Sequence, residues 1–309
     1  MTRFVLRGLA KSADFVDNTG KTPWEETILS IKLIAFDLDG TMLDSRKGLP
    51  EANRRALIRA AEQGVLLVPA TGRILRGIPA PLRELPFLRY YILANGAAVV
   101  DSQTGRCLYE AKIPLELALR FYDYADSLPV LYDCYQDEDS WMSQAMFERL
   151  GEYFTWEPKM IELMELLRTR VPDFKGTLRQ LGLPLSKMQL YFRPEDEPER
   201  QRQLRLLPEL FPELIATTSM KNNIELNSVE ATKGRALLAL ARELGLRREE
   251  TAAFGDGSND IAMLRAAGTG IAMANSQPGV KEAADRVTGT NDEAGVGLAI
   301  DALLDENRG

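Results

Sequence analysis

The sequence predicts an α/β protein: a core domain built on a parallel sheet, with a second, smaller α/β domain inserted into it. Three observations carry this expectation. Short apolar runs at 33–36, 65–71 and 90–95 lack polar alternation, as strands buried on both faces of a parallel sheet do. Strand and helix patterns return at 233–273, so both ends of the chain contribute to one sheet. Between them, residues 114–220 differ in composition, dense in aromatics and punctuated by prolines.

Taken in order, "LIAF" (33–36) is a strand that ends at Asp37. Residues 50–64 form a helix, with Pro50 suited to its first turn, Gly64 to its end, and a narrow apolar stripe of Ala56, Leu57, Ala60 and Ala61. Strands follow at 65–71 and 90–95, then a hairpin over 97–113 that turns at Gln103–Gly105. Inside the insert, helices over 115–127 and 199–210 alternate with strands over 130–136 and 187–193. Residues 233–245 form a helix with a glycine stop, and 251–257 a buried strand that breaks into a Gly-rich turn. A helix over 259–268 and a strand over 269–273 complete the pattern. The core domain is thus expected at 31–113 and 221–309 and the inserted domain at 114–220. Residues 1–30 lack the apolar segment of a secretory signal and read as a flexible extension.

Composition narrows the function. The chain has 309 residues and a formal net charge of -7, which argues against a nucleic-acid partner held by phosphate contacts. No apolar run approaches the roughly 20 residues that span a bilayer, so no membrane partner is expected. Cys107 and Cys134 form no metal-ligand spacing and read as reduced thiols of a cytoplasmic protein. The sequence has no histidine. Ser-His-Asp and Cys-His catalysis and His-ligated zinc are thereby excluded, and acid/base work falls to carboxylates, lysine or a bound metal.

Four short stretches place polar groups just past the C-terminal ends of expected strands, the edge at which open α/β sheets bind ligands. The first is Asp37-Leu38-Asp39-Gly40-Thr41, where residues two apart on a strand point the same way. The second is "ATGR" (70–73), offering the Thr71 hydroxyl, the Gly72 backbone and the Arg73 guanidinium. The third is Lys233, opening its helix, and the fourth is "GDGSND" (255–260), with Asp256, Asn259 and Asp260. Four carboxylates converge and one lysine cannot balance them. A hard divalent cation can, and an all-oxygen donor set suits Mg2+, which prefers carboxylates, water and a substrate phosphate. Thr71, Lys233 and the turn amides then resemble a cradle for phosphate oxygens.

These motifs, in this order, resemble the haloacid dehalogenase-like phosphatases, with their Rossmann-like core. "ILANGA" (92–97), "GIAMANSQPGVKEAADRVT" (270–288) and the long insert resemble the Cof-type branch, with a large α/β (C2-type) cap. The resemblance implies that Asp37 is a nucleophile that becomes an aspartyl-phosphate and that Asp39 is the acid/base. It implies Mg2+ bound by the Asp37 side chain, the Asp39 backbone carbonyl and the Asp256 side chain, with Asp260 and Asn259 in support. It places Thr71 and Lys233 on phosphate oxygens, with Lys233 also neutralising Asp37, and Gly72, Arg73 and Asn95 at the substrate entrance. The expected substrate is a small phosphorylated metabolite, foremost a sugar phosphate, otherwise a nucleotide or cofactor phosphate. A phosphomutase using the same chemistry and a non-catalytic phosphometabolite sensor are the alternatives.

Overall fold

The computed structural model describes residues 30–155 and 158–307. The expected extension therefore lies outside the described residues, apart from Ser30.

The first sheet is parallel throughout. Strand β1 (Leu33–Phe36) lies between β2 (Leu66–Pro69) and β12 (Thr251–Gly255), followed outward by β13 (Thr269–Ala272) and β14 (Arg286–Val287). Strands from both ends of the chain thus meet in one sheet. All four residues of β1 are buried, which explains why its sequence shows no alternation. Ile34 and Phe36 pack with the helices Glu51–Glu62 and Gly295–Glu306. Leu33 and Ala35 pack with the helices Lys233–Glu243 and Ile261–Ala266 on the other face. The result is a three-layer sandwich whose strand ends lie along one edge.

The third apolar run departs from expectation. β3 (Tyr90–Leu93) lies beside the end of β2, joined there by the parallel bridge Ala70–Ile92 and the Thr71 amide on Ile92 O (2.9 Å), and its continuous pairing is antiparallel, with β4 (Ala98–Asp101) and through it β5 (Arg106–Glu110). The sharp reversal at Ala94–Gly96, all three residues at positive φ, turns the chain straight back into the hairpin, so β3 pairs with its sequence neighbour.

The second sheet has the order β10 (Leu214–Thr217), β11 (Asn223–Ser228), β9 (Lys187–Phe192), β6 (Val130–Gln136), β7 (Asp139–Ser143), β8 (Thr169–Val171), antiparallel except for β7 with β8. It runs to Ser228, beyond the boundary at 220 suggested by composition, because β11 turns Ile224 and Leu226 onto the same apolar face as Met188, Leu190 and Phe192. That face packs on the helices Leu115–Ala125, Phe174–Leu181 and Glu197–Leu210.

The opposite face of this sheet is polar yet buried. It carries Asp133 and Tyr135 on β6, Lys187, Gln189 and Tyr191 on β9, and Asn223, Glu225 and Asn227 on β11. Burying so many polar groups is costly unless each is partnered. Several of them line the cavity between the two sheets.

Candidate active site

A cavity of about 420 Å³ lies between the strand ends of the first sheet and the polar face of the second. Asp37, Asp39, Thr71, Gly72, Arg73, Asp256, Asn259 and Asp260 all line it, so groups far apart in sequence face one space. Backbone pairing fixes the first of them: the Asp37 amide donates to Phe254 O (3.0 Å), continuing the β1–β12 ladder.

The centre is a buried charge cluster. Lys233 Nζ donates to Asp37 Oδ1 (2.5 Å) and Asp260 Oδ1 (2.6 Å), and the lysine is completely buried. It lies beneath the carboxylates and is absent from the cavity lining, although the resemblance placed it on phosphate oxygens. The reach is set at the start of its helix, where the Thr232 hydroxyl caps the Arg235 amide (3.2 Å). Gly96, at φ +98°, lies so close that a Cβ there would meet the Thr232 carbonyl at 2.3 Å.

Burial raises the Asp37 carboxyl well above the usual carboxylate range, with Lys233 opposing and Asp260, Asp256 and Asp39 adding to the rise. Asp256 is pushed up to about 6, chiefly by burial, with the Thr41 hydrogen bond opposing and Asp260 adding. Burial pulls the Lys233 ammonium down, but Asp260 and Asp37 outweigh it and its proton is held more tightly than in water.

Asp37, Asp256 and Asp260 can each place a carboxylate oxygen within 4.8 Å of the others, close enough to share a cation. The three are not equivalent. Asp260 Oδ2 accepts from the amides of Asp256 (3.0 Å) and Gly257 (2.9 Å), and its Oδ1 takes Lys233, so both its oxygens are engaged in shaping the loop. Asp37 Oδ2 and Asp256 Oδ2 receive no hydrogen bond among the described residues, while Asp256 Oδ1 accepts from Thr41 Oγ1 (2.7 Å). Gly40, at φ +84°, makes room for this arrangement, since a Cβ there would stand 2.4 Å from Asp256 Oδ2. Gly40→Ala is therefore expected to cost about 1–3 kcal/mol in thermal unfolding. An unchanged melting temperature would show that Asp256 moves aside freely.

Asp39 shares the cavity, but its carboxylate is turned to a different set of partners. Arg73 donates to both oxygens, from Nε to Oδ2 and from Nη2 to Oδ1 (each 2.8 Å), and Lys47 Nζ adds a third bond to Oδ1 (2.8 Å). Burial works to raise this carboxyl, yet the Arg73 and Lys47 contacts prevail and hold it well below the usual range. Its side chain thus stands outside the group of three. Sequence reasoning missed Lys47, a lone lysine on a loop with no motif to mark it.

Thr71 is buried, and its Oγ1 accepts from the Arg73 amide (3.2 Å), leaving the hydroxyl proton for another acceptor. Arg73 also donates to Gly77 O (2.7 Å), which fixes the guanidinium at the cavity wall. Asn95, expected at the entrance, is absent from the lining. Its left-handed backbone (φ 61°) turns the side chain inward, where it accepts from Asn259 (3.1 Å) and donates to Glu225 (2.6 Å) and Asn227 (3.1 Å).

The polar face of the second sheet supplies residues that no motif announced. Lys187 Nζ donates to Gly72 O (2.7 Å) and to Glu225 Oε1 (3.1 Å), joining the sheet to the Thr71–Arg73 loop. Glu225 is fully buried; burial raises its carboxyl, but Lys187, Asn95 and Ser219 bring the balance below the usual value. Asp133 accepts from Arg168 Nε (2.6 Å), Gln189 Nε2 (3.0 Å) and Tyr191 Oη (2.9 Å). The available signal was the polar alternation in "KMQLYF" and "NIELNS", which ordinarily marks a solvent face.

Among the described residues, no helix is long and apolar enough to cross a membrane, and both cysteines are free.

Comparison with known proteins identifies the family. A family profile described as haloacid dehalogenase-like hydrolase matches residues 34–300. The chain is 32% identical over 274 residues to 5-amino-6-(5-phospho-D-ribitylamino)uracil phosphatase YcsE of Bacillus subtilis, covering 88% of this chain and 95% of the relative. It is 31% identical to phosphatase YwpJ of the same organism, over 89% of this chain and all of the relative. A haloacid dehalogenase-like hydrolase from Bacteroides thetaiotaomicron superposes with a TM-score of 0.72 at 31% identity, covering 89% of this chain and 100% of that one. The protein belongs to the haloacid dehalogenase-like hydrolases and, within them, to the phosphatases.

Proposed function

We propose that the protein is a magnesium-dependent phosphatase of small phosphorylated metabolites that carries the phosphoryl group on Asp37. The observation that supports this is the clamp of Lys233 on Asp37 Oδ1 and Asp260 Oδ1, beneath a cavity at the strand ends. It immobilises one oxygen of Asp37 and leaves Oδ2 to attack phosphorus.

An all-carboxylate pair, Asp37 and Asp256, fits a hard cation, and the Asp256 carboxyl, raised chiefly by burial with Asp260 adding, is one that a bound cation would help to ionise. Magnesium held there would offset the charge that a phosphate dianion brings to the site. Asp260 orients the loop that presents Asp256. Thr71 donates its free hydroxyl proton to a phosphoryl oxygen. Asp37 Oδ2 forms the bond to phosphorus as the ester oxygen leaves with a proton from Asp39. The Asp39 carboxylate then takes a proton from the water that cleaves the aspartyl-phosphate, releasing inorganic phosphate.

As found, Asp39 is an ionised carboxylate held by Arg73 and Lys47, the form suited to the second half of the cycle. To act as the acid it must leave those cations, and an incoming phosphate ester is the anion that competes for them.

The test is phosphate release from a panel of sugar, nucleotide and cofactor phosphates, with excess chelator and with magnesium restored. Activity is expected only with metal. Full turnover in chelator would overturn the metal assignment, and an isomeric phosphate ester by phosphorus NMR would indicate a mutase. The pH dependence has a defined sign. Asp256 is protonated below about pH 6, so protons compete with the metal there. The magnesium concentration giving half activity is expected to rise about tenfold per unit as pH falls below 6. A requirement independent of pH between 5 and 7 would remove Asp256 from the metal.

A further inference from the structure

A second space of about 510 Å³ adjoins the cavity that holds the carboxylates, and the two share Lys47, Met160, Ser219, Met220 and Gln277 as a common border. Arg200 and Lys221 line the outer space alone. Among the described residues no carboxylate lines it, although acidic residues outnumber basic ones in the chain, 45 to 38. Its two lysines are carried on shaped turns. Asp44 Oδ1 accepts from the amides of Arg46 (2.9 Å) and Gly48 (2.8 Å), and the turn so formed holds Lys47 at φ 64°. Asn223 Oδ1 accepts from the amides of Ser219 (3.1 Å) and Met220 (2.9 Å), which shapes the turn between β10 and β11 that carries Lys221.

The charges of this outer space do not cancel. Arg200 is matched by Glu197, donating from Nε to Oε2 (2.6 Å) and from Nη2 to Oε1 (2.8 Å). Lys47 and Arg73 face the single carboxylate of Asp39, which leaves one positive charge in excess. Lys221 is exposed, and among the described residues its ammonium has no ion-pair or hydrogen-bond partner. Lys221 does not await the phosphoryl group that is cleaved, because Asp37 and Asp256 line only the inner cavity. A substrate hydroxyl would accept a hydrogen bond there but leave the surplus charge as it is, whereas an anion takes the same bond and offsets the charge, which makes the bond roughly twice as strong.

We infer that Lys221 and Lys47 bind a second anionic group of the substrate, a carboxylate or a further phosphate, at the end remote from the ester that is cleaved. This rests on the phosphatase reading above and selects, among small phosphorylated metabolites, those that carry two anions. Lys47 stands where the two spaces meet, so turning to that group takes its bond away from Asp39. Lys221 lies outside the inner cavity and acts on specificity alone.

The test uses pairs in which one hydroxyl is exchanged for an anion: sorbitol 6-phosphate against 6-phosphogluconate, and fructose 6-phosphate against fructose 1,6-bisphosphate, with the cleaved ester identified from the product. The readout is the ratio of kcat/KM within each pair, in the full chain and in Lys221→Gln and Lys221→Arg. In at least one pair the doubly anionic member is expected to be preferred about tenfold, and which pair responds distinguishes a carboxylate from a phosphate. Lys221→Gln is expected to reduce that preference about fivefold and leave kcat/KM for the singly phosphorylated member unchanged, while Lys221→Arg retains the preference. Equal use of both members in each pair, or a preference that Lys221→Gln leaves intact, overturns the assignment while phosphatase activity stands. So does a loss in Lys221→Gln that is the same for both members, which would make Lys221 a general attractor of phosphate esters. Absence of turnover with every ester, in folded protein with magnesium, overturns the phosphatase reading and the selectivity with it.

Discussion

Asp37→Asn is expected to lower phosphate release by on the order of 10⁴-fold or more, while the melting temperature stays level or rises. The amide keeps the shape of the side chain and can still accept from Lys233, but it is a poor nucleophile. The stability half follows from the raised carboxyl of Asp37. An acid whose folded pKa lies above its unfolded value destabilises the fold once pH exceeds both, because ionisation is easier in the unfolded chain. Removing the charge removes that cost, so the site is one where stability is given up for chemistry. Activity and thermal melting of the same preparation check both halves. Residual turnover above a few per cent would exclude Asp37 as the phosphoryl carrier, and a large drop in melting temperature would show that its charge holds the fold together.

Lys233→Met should have the larger effect on stability. It leaves Asp37 and Asp260 buried beside Asp256 without their cation, and loss of one partner from a buried charge group costs about 3–5 kcal/mol. The Asp37 carboxyl, already raised, rises further in the variant, so the sign can be worked out. Its penalty is complete above the raised folded value and vanishes as pH falls toward the unfolded value near 4. Relative to wild type, the deficit in melting temperature is expected to be greatest near pH 7.5 and to shrink at pH 5. A deficit equal at both pH values would assign the loss to packing. Turnover should fall to background, because Asp37 loses the cation that fixes Oδ1.

The convergence of the strand-end residues on one cavity was readable because of their physical setting. Asp37, Thr71 and Asp256 each end a buried apolar run, and a carboxylate or hydroxyl in that setting has few roles besides binding. The absence of histidine sharpened the point by removing the common alternatives. Pairing partners were less legible. Nothing in "DLDGT" tells that Asp39 turns to Arg73 and Lys47, since that depends on where two flexible cationic side chains settle. Asn95 was misplaced because its positive φ, invisible in the residue type, turns the side chain inward. β3 keeps its expected parallel neighbour only at the Ala70–Ile92 bridge, and its antiparallel pairing with β4 was not legible because an apolar run does not specify its pairing partner. The polar face of the second sheet was hardest to foresee. Its period of two is that of an ordinary strand with one wet side, and only the assembled structure shows that side facing a buried cavity.

That face also bears on how the protein can change. Arg168, Asp133, Gln189 and Tyr191 are closed on one another, and Lys187, Glu225, Asn95 and Ser219 form a second such set. A single substitution in either set strands a buried charge or amide, whereas exchanging partners together need not. Evolutionary drift in what this enzyme accepts should therefore proceed in coupled steps, with strongly non-additive pairs inside each set and weaker coupling between the sets through Tyr135, which Arg168 and Lys187 both contact. A laboratory search that varies one position at a time would find these sites intolerant and overlook the paths that run through them.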